Sequence, residues 1–152
     1  MSEQLQTPTL IKASTARFGE ITVPAEDVLH MPLGMIGFPG LQRFVLIKHR
    51  QDSPFQWLQS LDAPDVAFVV VSPLLFDPQY NLHLGDSEMR LLKMTKPEQV
   101  DILVVVNIPH GQPQKMTGNL RAPVVINSEA RLAAQIVLEH SDYDLRCPLK
   151  RQ

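Results

Sequence analysis

The sequence predicts an all-β, mainly antiparallel fold: a single compact barrel-like β domain with one or two short helical turns. Three observations carry this expectation. Apolar segments recur about every ten to fifteen residues, and most are rich in the Val, Ile and Phe that half-buried pleated surfaces favour. The 13 prolines and 7 glycines fall mostly between them, where they punctuate strands without removing donors from a central ladder. At 152 residues the chain fits one domain and can bury most of its apolar surface.

Residues 1–10 are polar and read as a flexible N-terminal tail, leaving 11–152 as the domain. Strands are expected at 16–18, 21–23, 28–31 and 44–48, each a short Val, Ile, Leu or Phe run. Residues 55–60 follow with a partial period-two pattern, placing one face toward water. The runs Val66-Ala-Phe-Val-Val-Val71 and Ile102-Leu-Val-Val-Val106 are apolar throughout, with the second strand continuing to Ile108. The last two strands are expected at 124–127 and 135–138. Gly118 and Asn119 provide the backbone freedom of a tight turn, and Pro123 fixes φ on entry to Val124. Helical signals are sparse. Asp86 reads as the N-cap of one or two turns with Met89 and Leu92 facing inward, and Thr95-Lys-Pro-Glu98 has capping-box spacing.

Charge and composition narrow the function classes. The net charge of −2 comes with scattered Lys and Arg, so the basic stripe that binds a phosphate backbone is absent and direct nucleic-acid binding is disfavoured. No apolar run approaches the roughly 20 residues that cross a bilayer. The N-terminus lacks a basic and then apolar secretory pattern, which points to the cytoplasm. The single cysteine, Cys147, cannot form an internal disulfide, in keeping with a reducing compartment.

Chemistry finds little to work with. The five histidines stand at no metal-ligand spacing from one another or from Cys147. The carboxylates Glu26 and Asp27, and Glu139, Asp142 and Asp144, lack a flanking oxyanion hole or positioning motif. Neither catalysis, a cofactor nor a metal is expected. Gly34-Met-Ile-Gly37-Phe-Pro-Gly40 lacks phosphate-loop spacing and reads instead as a loop carrying Met35, Ile36 and Phe38, apolar groups of the kind that mark protein-binding surfaces. Trp57 fits either a core anchor or an interface hot spot.

Four segments share one resemblance, in order and at similar spacing: Thr15-Ala-Arg-Phe-Gly-Glu-Ile21, Phe55-Gln-Trp-Leu-Gln-Ser60, Lys115 to Asn127, and Ser141-Asp-Tyr-Asp-Leu-Arg-Cys-Pro-Leu149. Together they resemble the FliW family of flagellar assembly factors across nearly the whole chain after the first dozen residues. The resemblance implies a cytoplasmic β-barrel-like protein that is not an enzyme. It implies two partners, the RNA-binding regulator CsrA, whose repression of flagellin translation the family relieves, and flagellin, which removes the factor from CsrA. Flagellin's amphipathic helices would suit an apolar groove or strand edge, and CsrA could be displaced from RNA by repulsion or by a change of conformation. Combining motif and loop, the expected partner-binding residues are Phe18, Glu20, Met35, Phe38, Trp57, Gln59, Met116, Asn119, Asp142 and Tyr143. A competing reading is a nucleic-acid-binding β-barrel module, favoured by strand number and opposed by charge.

Overall fold

A computed structural model describes residues 9–96 and 100–149. The chain begins with a hairpin of β1 (Leu10–Thr15) and β2 (Gly19–Pro24), in register from Leu10↔Pro24 to Thr15↔Gly19. Residues 16–18, expected as a strand, are its turn. The reason is local: Thr15 Oγ1 accepts from Phe18 N and donates to Gly19 O, each at 2.8 Å, while Gly19 takes φ +69°, a conformation that favours glycine. Leu10, expected in the tail, opens β1; the rest of that tail up to residue 8 lies outside the described residues.

Among the described residues nine strands follow the hairpin and form one sheet, the first eight being β3 (Leu29–His30), β4 (Arg43–Lys48), β5 (Gln56–Ser60), β6 (Ala67–Val71), β7 (Val100–Asn107), β8 (Thr117–Gly118), β9 (Val124–Asn127) and β10 (Leu132–Gln135). A short β11 (Cys147–Pro148) pairs with β8 at the sheet margin. Pairing runs β7–β6–β5–β4–β3–β10–β9 and returns to β7 through Val100↔Asn127 to Leu103↔Val124, closing a barrel. Every contact around this ring is antiparallel except β3–β10, joined at His30↔Leu132. Closure removes the unpaired edges that an open sheet would present. The strand expected at 135–138 lies three residues earlier, because Leu132 to Gln135 complete a hairpin with β9.

Inside the barrel lie Leu29, Met31, Met35, Phe44, Leu58, Val70, Val124, Ile126 and Ala133. Three outer layers cover much of the opposite face. The β1–β2 hairpin lays Ile11, Ala13, Ile21 and Val23 on Val45 and Ile47 of β4. The helix α1 (Asp86–Leu91) and the residues after it place Met89, Leu92 and Met94 against Val125 and Ala134. Phe76, Tyr80, Met116, Leu120 and Cys147 cover Val71, Val104 and Val106.

The N-cap of α1 is Gly85, not Asp86; Asp86 and Glu88 occupy the first turn, where carboxylates complement the helix dipole. Met89 and Leu92 face inward as expected. Of the second helical turn expected at 95–98, Pro97 and Glu98 lie outside the described residues. Gly118 also has a different reason from the turn expected: it sits in β8, and a Cβ there would meet Cε2 of the buried Phe76 at 2.6 Å. Only glycine permits so close an approach.

Tyr80 ties the outer layer together, its hydroxyl donating to Leu120 O at 2.8 Å and its ring lying 4.4 Å from that of Tyr143. Burial holds its ionisation above the ordinary tyrosine value, with Tyr143 adding to the effect. A folded pKa above the unfolded one gives stability that is complete below about pH 10 and is lost as pH rises toward the folded value. Urea melts between pH 9 and 12 should therefore show a decline that is shallower in Tyr80→Phe; equal slopes would refute this contribution.

Candidate partner-binding surface

After Val105 the strand β7 leaves β6 and pairs with β8, at Val106↔Gly118 and Asn107↔Thr117. Toward Ala67, β6 keeps β5 as its partner strand. Beside this divergence lies a cleft of about 300 Å³, walled by Phe55, Trp57 and Val69 on one side and by Ile108, Pro113 and Met116 on the other. Trp57 and Val69 are directly paired across β5 and β6, so their side chains share one face. His49 and Arg50 complete the rim.

The hairpin tip reaches the same place. The Arg17 guanidinium lies 3.9 Å from the centroid of the Trp57 ring, a cation–π contact, and Phe18 meets Trp57 edge-on at 6.2 Å. Ala16 N donates to Pro64 O at 2.9 Å and anchors the tip. Phe18, Trp57 and Met116, far apart in sequence, are thus brought to one region. Trp57 and Phe18 are half-buried, while Met116 is 9% exposed and serves as much in the outer core as in the cleft wall. Glu20 is exposed in β2 opposite Ser14.

The glycine-rich loop forms a second apolar surface, but not with every residue expected. Met35 is 2% exposed and packs inside the barrel; as a partner contact it is corrected to a core residue. Gly34 at φ +65° and Gly37 at φ +90° bracket a tight excursion in which Phe38 N donates to Met35 O at 2.7 Å. This geometry sends Met35 inward while Leu33, Ile36 and Phe38 remain 61%, 56% and 38% exposed. Phe38 leans edge-on against Phe68 at 5.7 Å, and Ile36 N donates to Gln135 Oε1 at 2.9 Å.

Gln59 is also corrected. It is fully buried, with Nε2 donating to Ser60 O at 2.9 Å, Val66 O at 3.2 Å and Pro64 O at 3.4 Å, so it staples the turn between β5 and β6. Asn119 is half-buried and caps its own turn, Oδ1 accepting from Arg121 N and Ala122 N at 3.2 and 3.1 Å. Tyr143 is half-buried against Tyr80; its hydroxyl accepts from Asn81 N at 2.9 Å and reaches Asn81 O at 3.2 Å. Asp142 beside it is exposed. This group lies by a wider depression of about 440 Å³ containing His83, His140, Glu88 and Glu139. Among the described residues no three His, Cys, Asp or Glu side chains are grouped to hold a metal, and no helix is long and apolar enough to cross a membrane. Sequence reasoning did not place Val69, Ile108, His49 or Arg50 at the surface site, since only barrel closure and the departure of β7 bring them to Trp57.

Fold and surface together define a small closed β-barrel whose exposed features include an aromatic-walled cleft and an apolar loop. The family model described as FliW protein matches residues 12–149. A flagellar assembly factor FliW of Bdellovibrio bacteriovorus is 44% identical over 136 residues, spanning 90% of this chain and 77% of that protein. One from Syntrophus aciditrophicus is 40% identical over 136 residues, spanning 90% and 85%. A crystal structure of the flagellar assembly factor FliW superposes with a TM-score of 0.85 at 30% identity, over 93% of this chain and 98% of that one. The chain belongs to the FliW family of flagellar assembly factors.

Proposed function

We propose that this flagellar assembly factor is a cytoplasmic partner-switching regulator that acts by binding and not by catalysis. In this reading it binds CsrA and relieves repression of flagellin mRNA translation, and it binds flagellin as a chaperone-like partner. Family membership supports the reading. The single observation that carries it in this chain is the exposed apolar surface of Leu33, Ile36 and Phe38; exposed apolar groups of this kind commonly mark protein contacts. Amphipathic helices such as flagellin's dock on surfaces of this kind. RNA need never be touched, which suits a net charge of −2.

Calorimetric titration of the protein with CsrA and, separately, with flagellin tests the switch. Saturable binding to each, with either partner weakening the other, is expected; binding to neither would refute it. Phe38→Ala and Trp57→Ala should each weaken at least one partner by about tenfold, equivalent to about 1.4 kcal/mol. For Phe38→Ala the melting temperature should change little, because the residue is already 38% exposed. Unchanged affinity for both partners in both variants would remove these residues from the interface.

A further inference from the structure

We infer that the tip of the β1–β2 hairpin, residues 16–18, is a lid on Trp57 that opens as a unit while the barrel stays folded, and that its opening gates access to the Trp57 ring. The gate's part in the partner switch rests on that reading; the opening itself does not. The first support is how slightly the tip is attached. The hairpin is a two-stranded sheet of its own, and its body is fastened to β4 by Ile11, Ala13, Ile21 and Val23. Among the described residues one backbone hydrogen bond joins it to the barrel, from Ala16 N to Pro64 O. The tip's other holds are the Arg17 guanidinium over the Trp57 ring and Phe18 at the ring's edge, contacts that shift an equilibrium only severalfold each. Thr15 Oγ1 bonds both Phe18 N and Gly19 O, so the turn keeps its shape and moves as one piece.

The second support lies beside the tip. A space of about 400 Å³ separates it from the β5–β6 turn, lined by Ala16, Arg17, Gln59, Pro64, Asp65 and Ala67. Gln59 has no exposed surface, and its Oε1 accepts no hydrogen bond among the described residues. Three carbonyl oxygens around Nε2 fix which way the amide points, so the unmatched atom is the oxygen. A buried acceptor without a donor disfavours the arrangement that encloses it, and lifting the tip admits water to it. Weak holds and a standing penalty together place this opening well below global unfolding. A partner segment that covers Trp57 binds the open form, so its affinity is reduced in proportion to the fraction closed.

Residue-resolved hydrogen exchange on the intact protein tests the lid. The Ala16 amide should be protected about a hundredfold less than that of the fully buried Met31, which is bonded to Gln42 O, and low urea should leave Ala16 exchange unchanged. Arg17→Ala and Phe18→Ala should each raise Ala16 exchange about threefold while Met31 stays as it was. Ala16 exchanging at the Met31 rate with the same urea dependence would overturn the lid. So would an Ala16 amide with no protection, or protection indifferent to both substitutions. Gating is read by calorimetry: Arg17→Ala should bind about threefold more tightly whichever partner loses affinity in Trp57→Ala, and equal or weaker binding would overturn the gate. Binding of neither CsrA nor flagellin would end the switch and the gate together, while the exchange experiment, which needs no partner, still decides the lid.

Discussion

Phe44→Ala is expected to destabilise the fold by about 3–5 kcal/mol, the usual range for emptying a buried phenylalanine site. Phe44 has no exposed surface and points into the barrel between Leu29 of β3 and Ser60 of β5, its pairing partners, with the Phe68 ring 6.4 Å away. The neighbouring strands are held by a closed ring of pairings, so they can move little to fill the space. Because folded domains retain only about 5–15 kcal/mol in total, the variant should sit close to the unfolding threshold. Urea denaturation is the measurement, with the midpoint falling at unchanged slope. A loss below about 1 kcal/mol would contradict the interior placement, since a rigid interior cannot absorb a missing ring so cheaply.

Asn127→Ala should cost about 2–4 kcal/mol. Asn127 is 1% exposed and works in two directions. Its Nδ2 donates to Leu92 O at 2.7 Å and Lys93 O at 3.3 Å, at the end of the helical segment. Its Oδ1 accepts from Glu129 N at 3.1 Å and Ala130 N at 3.2 Å in the turn that starts β10. Alanine removes both roles, and each buried backbone group left without its partner costs roughly 1–3 kcal/mol. Asn127→Asp should recover only part of the loss, because it keeps the acceptor while replacing the donor that faces two carbonyl oxygens. Hydrogen exchange at Ala130 and urea melts would check this, and an Asp variant as stable as the parent would refute the donor role.

These two residues differ in how far the sequence reveals them. Phe44 is legible as a strand residue from its apolar run, although its inward direction depends on register. Asn127 reads locally as the end of a strand; its grip on Leu92 and Lys93 is not local and has no sequence signature. The same contrast runs through the partner-binding set. Phe38 and Trp57 read in the sequence as apolar groups of the kind that meet a partner, and both retain exposure. Met35, separated from Phe38 by Ile36 and Gly37 in the same loop, turns inward because positive-φ glycines reverse the chain on either side of it. Gln59 looked polar and available, yet three carbonyl oxygens hold it within the fold. β1 was missed although Ile11, Ala13 and Thr15 alternate with Lys12 and Ser14, a period-two signal hidden in a polar context.

By itself the sequence determined the all-β class, most strand positions, the inward face of α1 and the family motifs. Those properties follow from side-chain shape, period-two or helical patterning, and turn chemistry, all of which act over a few residues. The tertiary structure decided that the sheet closes, through His30 beside Leu132 and Val100 beside Asn127. It also decided which outer faces the hairpin and helix cover, and that Arg17, Trp57, Val69, Ile108 and Met116 meet around one cleft. The physical reason is that a strand has two edges and two faces of similar local propensity. Which edge is paired and which face is covered is settled by burial and hydrogen bonding between segments distant in the chain.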